Sequence, residues 1–526
     1  MKKFVFAMCA LLTTFGTYAQ KKVFKEVGEG ISTQLKVIHQ DNTLVGYLSF
    51  TELEKTNKDS FSYKITIMDE NLNDIGTVNF KNKKLTLRSV AFEQDVICLA
   101  YIKSNMYHQE FKTKKEYNKA ERVADDELYM QFLGLDGKII NTKDNRLIMS
   151  HTAVYVPPAA RVGRGKLTSV QALKHDVQLS NIPQKGFACF YGDGNGKNLL
   201  VYNTAGEQTW SKKITEKAEG YRMLVSNQDV FFLCKEYYTV EGSYKVFGYG
   251  TVDSTVFPTR DLKDKQDNPL KVISFENDPV SGRPYISGSI IAKKRAAKFI
   301  SAKHLSTGAY AGVFTMNATD GKSNEFKEVY TYWSDNSKAN ISRKGYFRNE
   351  RCYAVFEESF KDYEGNTYFT GNSLYRKTNI GGIIASVLTA PLIVPPIFIL
   401  TLGGTQRCKV KDPVVIRQDR EGMVSFQKYI PSTRNAFHPA AANYAAFCDN
   451  NDFGVVNSTE TKNNYIIVYE PRNIVIFDVK QNKQVRSIPR NDGNTYTSIF
   501  PAKEGHIMVS EYDFKARSTS LSIEAL

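Results

Sequence analysis

The chain has 526 residues, 24% charged and 12% aromatic, with 30 Tyr and 32 Phe against 16 Pro, and a formal net charge of +15. That length exceeds what one ordinary core fills, so several domains or one large repetitive fold are expected. The positive charge is spread along the chain instead of being gathered beside stacking aromatics, which argues against a nucleic-acid partner and favours an anionic glycan or a membrane surface as counterpart.

The N-terminus reads as a secretory signal peptide over residues 1–19. Met1-Lys2-Lys3 is a basic start, Phe4 to Leu12 carries no charge, and Thr17-Tyr18-Ala19 is a small-residue cleavage site. The apolar run is shorter than the roughly 20 residues a bilayer span needs. Cys9 lies inside that run with little apolar sequence before it, unlike a lipid-modified cysteine, and leaves with the peptide. An Ala-Gln site after a short Lys-rich start resembles exported proteins of Bacteroidetes, a resemblance covering these twenty residues. It implies an exported protein, periplasmic or outer-membrane associated. Without Lys2 and Lys3 the mature chain carries 68 basic and 55 acidic residues, a net charge of about +13.

From residue 20 onward Asp, Asn and Gly recur in short clusters between apolar stretches, the pattern of many short strands joined by turns. Arg88 to Val96 aligns with Arg222 to Val230, sharing Arg, Gln, Asp and Val at matched places. The offset of 134 residues reads as three units of about 45. Leu179 to Phe187, Gly345 to Phe356 and Tyr496 to Ser510 have the same strand, turn and strand form. Hairpins are expected at Tyr63 to Ile75, Leu128 to Ile140, Leu199 to Trp210 and Ile474 to Val485. Their turns, Asp69 to Asn73, Asp136-Gly137, Asn203 to Gly206 and Asp478 to Asn482, hold residues that tolerate positive φ or bond their own backbone.

Four-stranded units repeated in this way resemble the blades of a β-propeller, and Leu199 to Trp210 is similar to a blade of the pyrroloquinoline-quinone or Kelch kind. The resemblance covers Ile31 to Leu526 and implies an all-β fold of seven or eight blades in a single domain over residues 20–526. Paired β-sandwich domains are the alternative. Insertions are expected near 104–126, 155–174 and 292–303. The six cysteines of the mature chain are Cys98, Cys189, Cys234, Cys352, Cys408 and Cys448. The first four stand in apolar, strand-like runs and read as packed free thiols. No Cys-x-x-Cys or His-x-x-x-His spacing suggests zinc.

Motifs for chemistry are sparse. No nucleophile elbow, zinc helix or Walker loop is present, and no cofactor is expected. Gly163 to Thr168 has the residues of a phosphate cradle at the wrong spacing and reads as a loop. Asp193 to Asn198 begins like a calcium loop but puts Lys197 at the fifth place and reads as a hairpin turn. The seven histidines, His39, His108, His151, His175, His304, His438 and His506, are scattered. His175-Asp176 and Glu357-Glu358 are candidate acid and base pairs.

Residues 380–404, Ile380 to Gly404, form 25 uncharged positions. As one helix they would rise about 37 Å, enough to span a bilayer. Pro391, Pro395 and Pro396 oppose a continuous helix, and Arg376, Lys377, Arg407, Lys409 and Lys411 flank it on both sides. Strand-like sequence on either side requires the chain to enter and leave at one place. The expected form is a hairpin, either packed into the propeller as a buried strand pair or touching a membrane or an envelope protein through Ile383, Ile384, Val387, Leu388, Leu392, Ile393, Val394, Ile397, Phe398, Ile399 and Leu400. The function read from the sequence is a non-enzymatic binding or scaffold protein of the envelope. The alternative is a propeller hydrolase or lyase acting on glycans or peptides. N-terminal sequencing of protein taken from the envelope is expected to begin at about Gln20; a retained Met1 would defeat the export reading.

Overall fold

Short apolar runs bounded by Asp, Asn and Gly fold as strands along the chain. The computed structural model describes residues 21–25, 32–41, 43–56, 60–106, 111, 113–147, 153–155, 170–172, 177–193, 196–236, 243–293, 308–319, 325–335, 340–378, 380, 406–432, 436–439, 453–491 and 493–526. The fold is all-β: eight antiparallel meanders in chain order, the blades of a β-propeller, and not a pair of sandwiches. Their first strands are Ser32–Gln40, Leu85–Glu93, Gln178–Ile182, Gly220–Ser226, Leu270–Asn277, Cys352–Lys361, Phe453–Ser458 and Thr495–Pro501.

The chain divides into two compact units. One holds Met1–Lys83, Leu135–Lys138 and Pro489–Leu526, and so the first and eighth blades. There the eighth blade takes its fourth strand from Lys21–Lys25, upstream of the span assigned to blades from the sequence, paired with Ser518–Ala525. Tyr47, Met68 and Leu72 of the first blade pack on Met508, Leu521 and Ile523 of the eighth.

The other unit holds Lys84–Gly134 and Ile139–Ile488, the second to seventh blades. Their first strands lie side by side in succession. The second strands here are buried on both faces over most of their length and are apolar without alternation: every residue of Pro284–Ile291 is buried, as are all but one of Val96–Ser104. The fourth strands Ile139–Leu147 and Gln208–Ile214 keep one face in water and alternate. Cys98, Cys189, Cys234 and Cys352 are buried free thiols, and Cys408 is buried as well. Cys448 lies outside the described residues.

A recurring turn ties strands together. In Asp69–Asn73, Asp264–Asn268 and Asp362–Asn366 the Asp Oδ1 accepts the amides two and four residues on at 2.7–2.9 Å, and the Asn amide donates to Oδ2 at 2.8–2.9 Å. The fourth residue, Leu72, Asp267 or Gly365, has φ of 64°, 61° or 84°. Such a three-residue loop with a left-handed last position suits the twist of a hairpin. Asn203 and Glu207 make the same turn with the side-chain roles exchanged.

The hairpins at Tyr63 to Ile75, Leu128 to Ile140, Leu199 to Trp210 and Ile474 to Val485 join third to fourth strands in the first, second, third and seventh blades. Asp193 to Asn198 is the turn between the second and third strands of the third blade, with Asp193 opposite Gly196. The aligned Arg88 and Arg222 segments are the first hairpins of the second and fourth blades. Their matched glutamines both reach the hairpin between them: Gln94 Nε2 donates to Gln184 Oε1 at 3.1 Å and Gln228 Nε2 to the Pro183 carbonyl at 3.5 Å. The 134-residue offset therefore spans two blade steps and not three. Residues 148–177, between the second and third blades, supply the excess.

Of the expected insertions, 104–126 separates the second and third strands of the second blade. It carries a short helix, Lys114–Glu121, capped by Thr113, with Met106, Phe111 and Tyr117 clustered beside it. In 155–174 the described part is Val170–Ala172 and Tyr155, in a two-stranded ribbon of Ala153–Tyr155 with Val170–Ala172. Nearly all of 292–303 lies outside the described residues.

Gly371 sits where the second strand of the sixth blade crowds the first. A Cβ there would lie 1.9 Å from the Val355 carbonyl oxygen and 2.6 Å from Phe356 Cα, whereas a Cβ on Gly220 would meet nothing within 4 Å. Gly371→Ala is expected to destabilise by at least about 1–3 kcal/mol, and Gly220→Ala to leave the thermal midpoint nearly unchanged. Parallel melts of the two variants check this.

Candidate functional site

The first strands of the fifth and sixth blades, Leu270–Asn277 and Cys352–Lys361, are neighbours, and both are bulged. The register slips between Val272 and Ser274 and again between Phe356 and Glu358, leaving Ile273 and Glu357 as the extra residues. A bulge bends its strand and re-aims the side chains beside it. Glu358 follows one bulge directly, and Glu276 stands three residues beyond the other.

A polar seam fixes the two blades to each other. Tyr285 Oη lies 2.8 Å from Thr367 Oγ1, and Ser287 Oγ lies 2.8 Å from Ser359 Oγ, all four buried. Lys361 is ion-paired with Asp278, donates to Asn317 Oδ1 at 2.7 Å, and lies 5.5 Å from the Tyr285 ring centroid. Burial alone would raise the Asp278 carboxyl. Bonds from Lys361 and from the Ser281 and Val280 amides outweigh it and hold that carboxyl below its ordinary value.

Glu276 and Glu358 behave in the opposite way. Both side chains keep part of their surface open, yet desolvation dominates their titration, as for a group on a concave wall. Burial, reinforced by the charge of Glu358, pushes Glu276 from 4.5 to about 7 against the Ser274 hydroxyl and Arg222. Burial also lifts Glu358 to about 7, opposed by Arg222 and by the Ser359 amide, which donates to Oε1 at 3.0 Å. Near neutral pH the pair holds both a carboxyl that can give a proton and a carboxylate that can take one.

Arg222, in the first strand of the fourth blade, reaches across to this wall. Its Nη1 donates to the Ile273 carbonyl at 3.4 Å, on the bulge itself. Gln178 ties the third blade to the fourth through the Tyr221 carbonyl at 2.7 Å and the Met223 amide at 2.6 Å. Glu93 ties the second to the third by accepting from Asn181 Nδ2 and the Gln184 amide, both at 3.0 Å.

The candidate pair Glu357-Glu358 is thus divided. Glu357 Oε1 accepts from Asn372 Nδ2 at 2.9 Å, and Glu358 is coupled to Glu276, which the sequence did not single out. The one available signal was a Glu close to Val272, Ile273 and Phe275 in Leu270–Asn277. His175-Asp176, the Gly163 to Thr168 loop, His108, His151 and His304 lie outside the described residues. His39 lies in Ser32–Gln40 and His438 in Ala436–Pro439, while His506 Nδ1 is 2.7 Å from the Glu504 carbonyl. Among the described residues no three His, Cys, Asp or Glu side chains gather as a metal would require.

The contact residues expected from Ile383 to Leu400 also lie outside the described residues, as does the N-terminal segment 1–20. The flanks of the apolar segment are described. Thr367–Thr378 and Gln406–Gln418 pair antiparallel up to Thr378 opposite Gln406, so the chain leaves and rejoins the sixth blade at adjacent positions. Ala436–Pro439 adds a strand against Arg407–Val410. Arg376, Lys377, Thr378 and Ile380 are exposed there. Among the described residues no helix is long and apolar enough to cross a membrane.

A family described as of unknown function (DUF6770) matches residues 1–136. No curated protein matches the chain. Among solved structures it is similar to the WD40 domain of SCAP from fission yeast, at 7% identity over 96% of this chain and 98% of that one, with a TM-score of 0.39. It is also similar to the Dos1 propeller, at 9% identity over 96% and 95%, with a TM-score of 0.43. A third is the β-propeller domain of the Trilobed protease from Pyrococcus furiosus, at 9% identity over 84% and 96%, with a TM-score of 0.35. The fold class rests on the sheets themselves.

A carboxyl raised by folding favours the native state while protonated, and that contribution is lost as pH rises through the folded value. For Glu276 the window runs from 4.5 to about 7. Glu276→Gln is expected to flatten the fall of the thermal midpoint between pH 5 and pH 8 and to raise the midpoint at pH 8. Melts of both proteins across that range check it, and an unchanged pH profile would contradict the assignment.

Proposed function

We propose that the protein is a β-propeller hydrolase or lyase acting on glycans in the bacterial envelope, outside the cytoplasm, with Glu276 and Glu358 as its proton-transfer pair. The observation that carries this reading is the convergence of those two carboxyls, raised to about 7, from neighbouring first strands onto a partly open wall. Glycosidic cleavage needs one group to deliver a proton to the leaving oxygen and another to activate water or remove a proton, and paired carboxyls do this.

A second reading, a binding or scaffold protein docked through residues 380–404, is favoured by the pairing of Thr378 with Gln406. That closure lets the apolar segment contact a membrane or an envelope protein without dividing the blades between two compartments.

Reducing-end and unsaturated-product assays on a panel of purified polysaccharides test the first reading. Turnover is expected, falling at least about 100-fold in Glu276→Gln and Glu358→Gln. Absence of turnover across the panel, or full activity in both variants, would count against it. For docking, replacing Ile384, Leu388, Ile393 and Phe398 together with Ser is expected to release folded protein into the soluble fraction. Unchanged fractionation of the folded variant would reject attachment through the segment.

A further inference from the structure

The guanidinium of Arg222 has an unusual position for a surface cation. It is exposed, and among the described residues its one hydrogen bond runs to the backbone carbonyl of Ile273 in the next blade. Its charge reaches both Glu276 and Glu358, yet it makes no ion pair with either. The cation of the seam, Lys361, is spent on Asp278 and Asn317. A guanidinium carries five N–H donors in a planar fork, so most of the fork at Arg222 is not used by the protein. The bond to the Ile273 bulge nevertheless holds it at the carboxyl wall.

We infer that Arg222 is a specificity-determining residue that receives a carboxylate or sulfate of an acidic glycan, placing the sugar against Glu276 and Glu358. The inference rests on the glycan reading above and names its substrate class. Two oxygens of a carboxylate or of a sulfate match the guanidinium fork through two charge-assisted bonds. A neutral sugar would leave the fork in water. Without a cation at this point, an acidic sugar would meet the carboxyl wall with like charge. Arg222 thus offsets the repulsion that the wall presents to such a substrate, and it does so from a third blade, independent of the seam that sets the carboxyls.

The test is an array of uronate-containing and sulfated oligosaccharides, each beside its neutral counterpart, probed with the full chain, followed by calorimetry on those bound. Binding is expected for acidic members over neutral ones, weakened at least about tenfold in Arg222→Gln and partly restored in Arg222→Lys. Carboxylate against sulfate is decided by which members bind. Glu276→Gln with Glu358→Gln is expected to keep that binding while abolishing turnover, so loss of catalysis and loss of recognition are read separately. Equal binding of acidic and neutral members, no binding at all, or unchanged affinity in Arg222→Gln would overturn the inference. Circular dichroism of each variant confirms that it is folded.

Discussion

The second strands Val96–Ser104 and Pro284–Ile291 have no solvent face, and much of the fold around them follows from that constraint. Val96–Ser104 and Pro284–Ile291 are buried on both faces, so alternation gives way to continuous apolar sequence. A thiol there behaves as a small apolar group, which is why Cys98, Cys189 and Cys234 occupy such strands. A hydroxyl there must find a partner inside the protein, because water cannot reach it. Tyr285 and Ser287 find theirs across the blade boundary, in Thr367 and Ser359. The seam between the fifth and sixth blades is thus a consequence of placing polar groups in a doubly covered strand.

That seam sets the geometry beside it. Both bulges lie opposite a glycine on the second strand: a Cβ on Gly288 would fall 2.0 Å from the Lys271 carbonyl, and one on Gly371 1.9 Å from that of Val355. The close approach leaves the extra residue to be taken up by the first strand, which bends and turns Glu276 and Glu358 onto the shared wall. Rigid elements on either side hold the carboxyls in place, as a catalytic pair requires.

Local structure was legible in the sequence because its causes are local. Asp69 to Asn73 and Asn203 to Gly206 carry their own turn chemistry, and the runs around Cys98 and Cys189 carry their own burial pattern. The interval from Arg88 to Arg222 was misjudged by one blade step, since residues 148–177 lie between the second and third blades. The candidate pair was half legible. Glu358 stood out beside Glu357, but its true neighbour lies 82 residues earlier on another blade, and nothing in a linear sequence records which first strands are adjacent. Arg222 was noticed only as a repeat landmark. Its reach to Ile273 is a property of blade packing.

The wall also holds two carboxyls in contrasting surroundings. Asp278 and Glu276 are two residues apart, and both suffer burial. Asp278 receives Lys361 and two turn amides and is held down as a carboxylate. Glu276 receives the Ser274 hydroxyl, the repulsion of Glu358 and a cation that stops short of an ion pair, and its carboxyl rises instead. The protein can therefore satisfy a carboxylate in this place and does so once. A second, half-satisfied pair costs stability that a Gln at either position would recover. Elements kept at such a cost, with protonation poised near neutrality and part of their surface open, are what proton transfer to a bound ligand demands. Structural packing alone accounts for Asp278 and leaves Glu276 and Glu358 unexplained.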